Sequence, residues 1–385
     1  MSVSVKNYRN AFALIALLFI NSAKVYSEVP RPDHVVICVL ENHAYQQIIG
    51  SSSAPYINHL STIGANMVEY YGLSHPSQTN YIKLFSGESQ GVTSNNVPVG
   101  TPFSTPNLGA SLLYSGFTFI GYSEDLPSVG SLVEVSGGYA RKHSPWVHWQ
   151  GTGTNQIPAS CNQTLDNFPA DFNQLPDLSF VIPNLDNAMH DGVDPTRIET
   201  GDRFVSDVLS PYVNWAMNNN SLLIVLFDED DNYSSNHVPC IFVGPMVTPG
   251  NYAQTGYDHY DMLRTIQDMY GLPYIANSVT AKPIEEIWFN PTNIKTLTTD
   301  ISSKVFPNPV RSSSIVSFDN KLSYSGNVKL QVFDILGNAV DEEYYFVKSD
   351  TRSIPLNGSE LKKGIYFYRI SGERSMITSG KFIVE

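Results

Sequence analysis

The 385-residue chain is 42% hydrophobic and 12% aromatic, enough for two or three domains and a sizeable core, which excludes a wholly disordered polymer. Its 23 basic and 36 acidic residues leave a formal charge of −13, which argues against general binding to nucleic acid or anionic lipid. A small phosphorylated substrate stays open, because one metal ion can reverse the local field.

Taken in chain order, the first segment reads as an address. Lys6 and Arg9 precede the apolar run AFALIALLFI at 11–20, and VYS at 25–27 offers a place to cut. That is the pattern of a secretory signal over residues 1–27, with a mature chain from Glu28; the run is short for a bilayer, and no other stretch approaches transmembrane length.

Residues 28–290 alternate short apolar runs with longer mixed segments. HVVICVLEN (34–42), FTFIGYSED (117–125), LSFVIPNLDN (178–187), SLLIVLFDED (221–230) and VPCIFVGP (238–245) are the strand candidates. Several are apolar throughout, as in strands covered on both faces. In YDMLRTIQDMYGLP (260–273), Leu263, Ile266 and Met269 recur at helical spacing, with Gly271 and Pro273 as a stop. The alternation predicts an α/β domain with a mostly parallel sheet flanked by helices. Residues 291–304 are polar and aperiodic and read as a linker. From 305 to 385 short alternating strands predict a small β-sandwich; it holds no histidine and no cysteine, so catalysis is expected in the first domain. Cys38 and Cys240 lie in apolar strands and suit core packing, Cys161 is unassigned, and nothing supports a disulfide framework.

Polar residues cluster where the strands stop. HVVICVL runs into Glu41 and Asn42, LLIVLF into Asp228 and Glu229, and LSFVIPNLDNAM leads to His190 and Asp191. A single polar strand end merely meets water, but ligands of open parallel sheets sit beyond the carboxyl ends of the strands, so several such ends form one candidate site. Clustered carboxylates repel unless a cation neutralises them. Glu41, Asn42, Asp228 and Glu229 suit a hard divalent ion such as Ca²⁺, Mg²⁺ or Mn²⁺, and Zn²⁺ if histidines join. Asp230 and Asp231 are expected to face solvent.

In GLSHPSQTNYIKLFSG (72–87), Ser77 is placed to cap a helix, and nothing more need follow from that. The same position gathers free backbone N–H groups that suit a phosphate, and a metal-activated Ser77 there would be a nucleophile. His75 and Asn80 flank it. Lys142 and His143, in YARKHSPWVHW (139–149), could hold an oxyanion or leaving group. His34, His59 and His148 read as structural, and His259 as packing, capping or catalysis.

Together VICVLEN, HPSQTNYIKLFSG, ARKHSPW, PNLDNAMHDG and FDEDDNYSSNHVPCIFVGP resemble, in that order, the phosphoesterase family of secreted acid phosphatases and phospholipases C, within the alkaline-phosphatase-like superfamily. The resemblance spans about residues 33–275. It implies an alkaline-phosphatase-like fold, with Glu41, Asn42, Asp228, Glu229 and Ser77 around the metal. Ser77 would attack phosphorus to form a phosphoserine. Asn80, His143, His190 and His237 would line the phosphate, with His190 or His237 protonating the leaving alkoxide. Thr79 stands where relatives usually carry proline, and Ala188 where phosphatase relatives often carry an acid. The HPS-x-x-NY form and Tyr81, where lipase relatives tend to carry arginine, favour phosphomonoesters. A phospholipase C or other phosphodiesterase is the alternative, and an inactive surface binding protein the second.

The tail pieces VFPNPV, VKLQVFDILGNAV, GIYFYRIS and GKFIVE resemble the C-terminal sorting domain of type IX secretion. They imply the type IX machinery as a partner and a secreted or cell-surface location reached through the periplasm.

Overall fold

Apolar runs covered on both faces settle in the middle of a sheet, where every backbone group finds a partner and every side chain leaves water. The computed structural model describes residues 29–289, 302–319, 325–335, 337–372 and 376–385. The predicted signal at 1–27 and most of the predicted linker at 291–304 lie outside the described residues. The chain divides into two compact units, Met1–Phe289 and Asn290–Glu385.

The first unit carries an eight-stranded sheet. In chain order its strands are β1 (His34–Leu40), β2 (Ala65–Met67), β3 (Phe119–Ser123), β4 (Asn162–Thr164), β5 (Leu178–Ile182), β6 (Ser221–Phe227), β7 (Cys240–Val243) and β8 (Gly250–Tyr252). Their spatial order is β8-β2-β7-β6-β1-β5-β3-β4. The five runs predicted from sequence are the five consecutive inner strands β7-β6-β1-β5-β3. Strands β2, β4 and β8, three residues each, lie outside them and have too little pattern to be read. All neighbours pair in parallel except β7, which runs antiparallel to both β6 and β2. Gly121 in β3 lets the Trp146 ring lie against the backbone, where a Cβ would come within 2.1 Å of it.

The α-helices of seven residues or more are α1 (Pro55–Ile63), α2 (Ser77–Ser86), α3 (Leu108–Tyr114), α4 (Thr196–Ala216) and α5 (His259–Tyr270). In α5 the periodic Leu263, Ile266 and Met269 are buried, Asp258 caps the start through the N–H groups of Tyr260 and Asp261, and Gly271 closes the end at φ 61°. The 21-residue α4 carries Pro211 inside it, which obscures it to a sequence reading. The cap at α2 differs from expectation. Pro76 occupies the cap position and has no side-chain acceptor, while Ser77 is the first helical residue and turns its hydroxyl to Glu229.

The second unit packs two antiparallel sheets around one core. Ser303–Phe306, Ser313–Phe318 and Ser353–Asn357 form one; Ala339–Val347, Gly326–Phe333, Gly364–Ser371 and Met376–Val384 form the other. Val316, Leu330, Val332, Ile354 and Ile370 meet between them, so the predicted sandwich is present. Among the described residues all three cysteines are free and buried, Cys161 included.

Candidate active site

Register builds the first part of the site. Leu40 of β1 lies opposite Phe227 of β6, so Glu41 and Asp228 follow side by side at two neighbouring strand ends. Asn42 then turns the chain at φ 49°, a left-handed conformation that asparagine tolerates. The Asp228 N–H donates to the Leu40 carbonyl at 3.1 Å, and the Asn42 N–H reaches Asp228 Oδ1 at 3.4 Å. Gly72 crosses close to this strand end: a Cβ there would stand 2.7 Å from the Asp228 carbonyl oxygen. His259 Nε2 donates to the same carbonyl at 2.6 Å and takes the Tyr70 hydroxyl at 3.0 Å on Nδ1. His259, open between roles in the sequence, is a positioning residue behind Asp228.

Glu229 gathers the second part. The Ser77 hydroxyl donates to Oε1 at 2.8 Å, Asn80 Nδ2 donates to Oε2 at 3.0 Å, and His75 Nδ1 lies 3.1 Å from Oε2. Asn80 is also a clamp for the entry to α2, accepting from the Leu73 and Ser74 N–H groups at 3.0 Å. Ser77 is buried at the first turn of α2, where orphan N–H groups and the helix dipole favour an anion.

Lys142, His143 and His190 form a basic bank beside Glu41. His143 is buried, stacks on Tyr81 at 5.2 Å between ring centres, and brings Nε2 to 3.2 Å from Glu41 Oε1. His190 holds Lys142 Nζ at 2.9 Å on Nε2 and Asp191 Oδ1 at 2.6 Å on Nδ1. Asp191 therefore gives His190 a carboxylate partner although position 188 is alanine; buried Ala188 instead offers its carbonyl to the Glu41 N–H at 2.9 Å.

The structure does not draw His237 into this cluster. Its Nε2 lies 2.5 Å from the Val68 carbonyl oxygen, and its ring stacks on Tyr45 at 4.8 Å. Asp230 differs from the solvent-facing role expected of it. It is buried and accepts from the N–H groups of Asn232, Ser234 and Asn236 at 2.7–2.9 Å, folding the loop after β6 around its carboxylate. Asp231 is half-buried and holds Gln47 Nε2 at 2.9 Å. Tyr81 and His43 were not singled out as site residues in the sequence. The Tyr81 hydroxyl donates to Glu41 Oε1 at 2.5 Å, and His43 Nδ1 donates to the Glu41 carbonyl at 2.8 Å. Tyr81 lies one turn after Ser77 on α2, and that spacing is the signal that could have found it.

Charge is divided unevenly over the three acids. Burial works to raise the Glu41 carboxyl, but the His143 imidazole and the Tyr81 hydroxyl outweigh it and hold Glu41 at about 2. Asp228 is raised well above its ordinary value by burial and by the charges of Glu41 and Glu229. Burial also lifts Glu229, to about 8, against the Ser77 hydrogen bond.

Residues 51–273 match the phosphoesterase family. A phosphatidylinositol-3-phosphatase of Mycobacterium tuberculosis is 46% identical over 263 residues, covering 68% of this chain and 85% of that protein. The chain belongs to the phosphoesterase family. This phosphoesterase is thus a hydrolase of phosphoric ester bonds, as the resemblance implied. It is also similar to a probable acid phosphatase of Kluyveromyces lactis, 24% identical over 86% of this chain and 83% of that one. A structure in the alkaline phosphatase superfamily from Vibrio parahaemolyticus superposes with a TM-score of 0.46 at 13% identity, covering 85% of this chain and 83% of that one. Residues 304–385 match a secretion system C-terminal sorting domain. No helix among the described residues is long and apolar enough to cross a membrane.

The residues of this phosphoesterase fit a cation. Glu41 Oε2, Asn42 Oδ1 and Asp228 Oδ2 are buried without a hydrogen-bond partner. Three orphaned oxygens on residues that follow neighbouring strands are donors of the type a hard divalent ion takes. Glu41, His143 and His190 also bring one ligand atom each within 4.8 Å of one another, which adds imidazole nitrogen for a metal such as Zn²⁺. The Lys142 ammonium at 2.9 Å from His190 Nε2 opposes a second positive charge there, so the oxygen set is the stronger candidate.

Proposed function

We propose that this protein is an exported, divalent-metal-dependent phosphatase that hydrolyses phosphomonoesters through a phosphoserine on Ser77. The observation that carries the reading is the Ser77 hydroxyl, buried at the start of α2 and hydrogen-bonded to Glu229, the residue that follows Asp228 with its orphaned Oδ2. Glu41, Asn42 and Asp228 would hold the metal, with Ser77 and Glu229 as further oxygen donors. A bound divalent cation there supplies charge to favour the serine alkoxide and the phosphoryl oxygens.

Ser77 Oγ attacks phosphorus as its proton passes to Glu229 Oε1 along the 2.8 Å hydrogen bond. The Glu229 carboxylate is the group that the Ser77 hydroxyl already meets, so it is placed to take the proton and give it back. As the Oγ–P bond forms, the bond from phosphorus to the leaving oxygen breaks, and the hydrogen-bonded Lys142–His190 pair supplies the proton that oxygen takes up. Asp191 fixes the His190 ring for this exchange. Water then cleaves the phosphoserine: its oxygen bonds phosphorus as the P–Oγ bond breaks, its proton restores the Lys142–His190 pair, and Glu229 returns its proton to Ser77 Oγ. His237, engaged by Val68, is assigned to packing here.

The Mycobacterium tuberculosis relative, named for a lipid phosphomonoester, supports the monoester reading over a phosphodiesterase. The sorting unit supports export by the type IX route to the cell surface or the medium. The test compares hydrolysis of an aryl phosphomonoester, an aryl phosphodiester and phosphatidylcholine, with and without chelator and with Ser77→Ala. Monoester turnover that both treatments abolish is the expected result. Predominant diester or lipid cleavage, or activity surviving both treatments, would overturn it.

A further inference from the structure

One segment holds the Glu41 peptide at both poles. The Glu41 N–H donates to the Ala188 carbonyl at 2.9 Å. The Glu41 carbonyl accepts from His43 Nδ1 at 2.8 Å, and His43 Nε2 lies 3.1 Å from Asp194 Oδ1. Residues 188–194 therefore grip Glu41 directly on one side and through an imidazole on the other. The same segment carries His190 and its partner Asp191.

His43 is fully buried and stands edge-on to Phe227, the last residue of β6, at 6.3 Å between ring centres. Between Glu41 and His43 the chain turns at Asn42 with φ 49°. The imidazole thus closes the turn that carries two of the three orphaned oxygens, Glu41 Oε2 and Asn42 Oδ1. Asp194 is itself clamped. Arg197, in the first turn of α4, donates from Nε to Oδ1 at 2.7 Å and from NH2 to Oδ2 at 3.2 Å. A forked guanidinium–carboxylate pair fixes direction as well as distance. Groups behind a metal ligand set its orientation, and with it the affinity of the site.

We propose that Asp194 is a positioning residue for the cation: through His43 it sets the Glu41–Asn42 turn and thereby how tightly the site holds its ion. This rests on Glu41, Asn42 and Asp228 holding the cation. Asp228 has its own strut, His259 on its carbonyl, backed by the Tyr70 hydroxyl and independent of Asp194. Loss of Asp194 should therefore weaken the site without abolishing it.

Calorimetry of the chelator-treated full chain, titrated with Ca²⁺, Mg²⁺, Mn²⁺ and Zn²⁺ singly, reads the dissociation constant. Asp194→Ala should raise it about tenfold, the lower end of what losing a partner behind a metal ligand costs. Asp194→Asn offers His43 Nε2 both a donor and an acceptor and should stay within about threefold of native. Asp194 is partly exposed, so neither change opens a buried cavity, and the unfolding transition in chelator checks that both variants are folded. A purely structural role would lower that transition and leave the dissociation constant unchanged. Native binding that Asp194→Ala leaves unchanged, or a rise equal in Asp194→Asn, overturns this proposal alone. A native protein that binds none of the four ions removes the cation reading and this proposal with it.

Discussion

Two halves of one polar cluster stand at the same end of the sheet and differ in one respect. Around Glu229 both carboxylate oxygens have partners from Ser77, Asn80 and His75. Around Glu41 and Asp228 three buried oxygens have none. An orphaned buried polar group costs about 1–3 kcal/mol, so three of them on the neighbouring residues Glu41, Asn42 and Asp228 invite a ligand. In the proposed mechanism the first half, complete from the protein alone, would aim the serine, and the second would take its charge from a bound cation. The enzyme would then position its serine by hydrogen bonding and leave electrostatic stabilisation to a ligand.

Breaking the first half should have the largest effect. Ser77→Ala should lower monoester turnover by roughly 10⁴-fold or more, as loss of a nucleophile does, with the unfolding temperature retained. Residual activity within tenfold of native would remove Ser77 from the chemistry. Next in size is the contrast between histidines. His143→Ala, beside Glu41, should cost roughly 10²-fold in kcat/KM, whereas His237→Ala should cost less than about tenfold and act on stability. Equal catalytic losses would mean that His237 reaches the substrate.

Asp228→Asn sharpens the comparison through its sign. In chelator it removes like-charge repulsion next to Glu41 and should raise the unfolding temperature by roughly 2–4 °C, the shift that about 1 kcal/mol gives a domain of this size. With divalent cation the order should invert, because the native protein gains a ligand that the variant holds poorly. The smallest effect concerns His148. Both His148 nitrogens are buried without partners, but this ring stands alone and needs no ion; burial lowers its pKa to about 3. Above its ordinary value of 6.5 both states are neutral. As pH falls from 6.5 toward 3 the unfolded chain takes up a proton that the folded one refuses, so stability is lost over that window. Unfolding temperatures between pH 7 and 4 should fall less steeply in His148→Phe, and identical slopes would contradict this.

The inner five strands were legible because fully buried strands are apolar throughout, and the polar residues that follow them mark where the runs stop. Glu41, Asp228 and Glu229 followed from that, and Ser77 from the helix start after Pro76. Strands β2, β4 and β8 were not, since three residues carry no period, and α4 was hidden by Pro211. The antiparallel turn of β7 leaves no mark in an apolar run. Within the site, Asp230 looked like a solvated charge until its loop closed on it. Tyr81 packs its ring in the core and only its hydroxyl reaches Glu41, which no local pattern marks. His237 kept a site-like sequence context although the fold turns its ring to Val68. Side-chain direction beyond a strand end depends on contacts from distant segments, and no local pattern records them.

The central claim is that the Glu41, Asn42 and Asp228 half is completed by a divalent cation. Thermal unfolding of chelator-treated protein, titrated in turn with Ca²⁺, Mg²⁺, Mn²⁺ and Zn²⁺ and set beside Glu41→Gln, tests it most directly. At least one ion should raise the native unfolding temperature in a saturable way, and Glu41→Gln should abolish most of that rise. No shift with any of the four, or an equal shift in Glu41→Gln, would contradict the account.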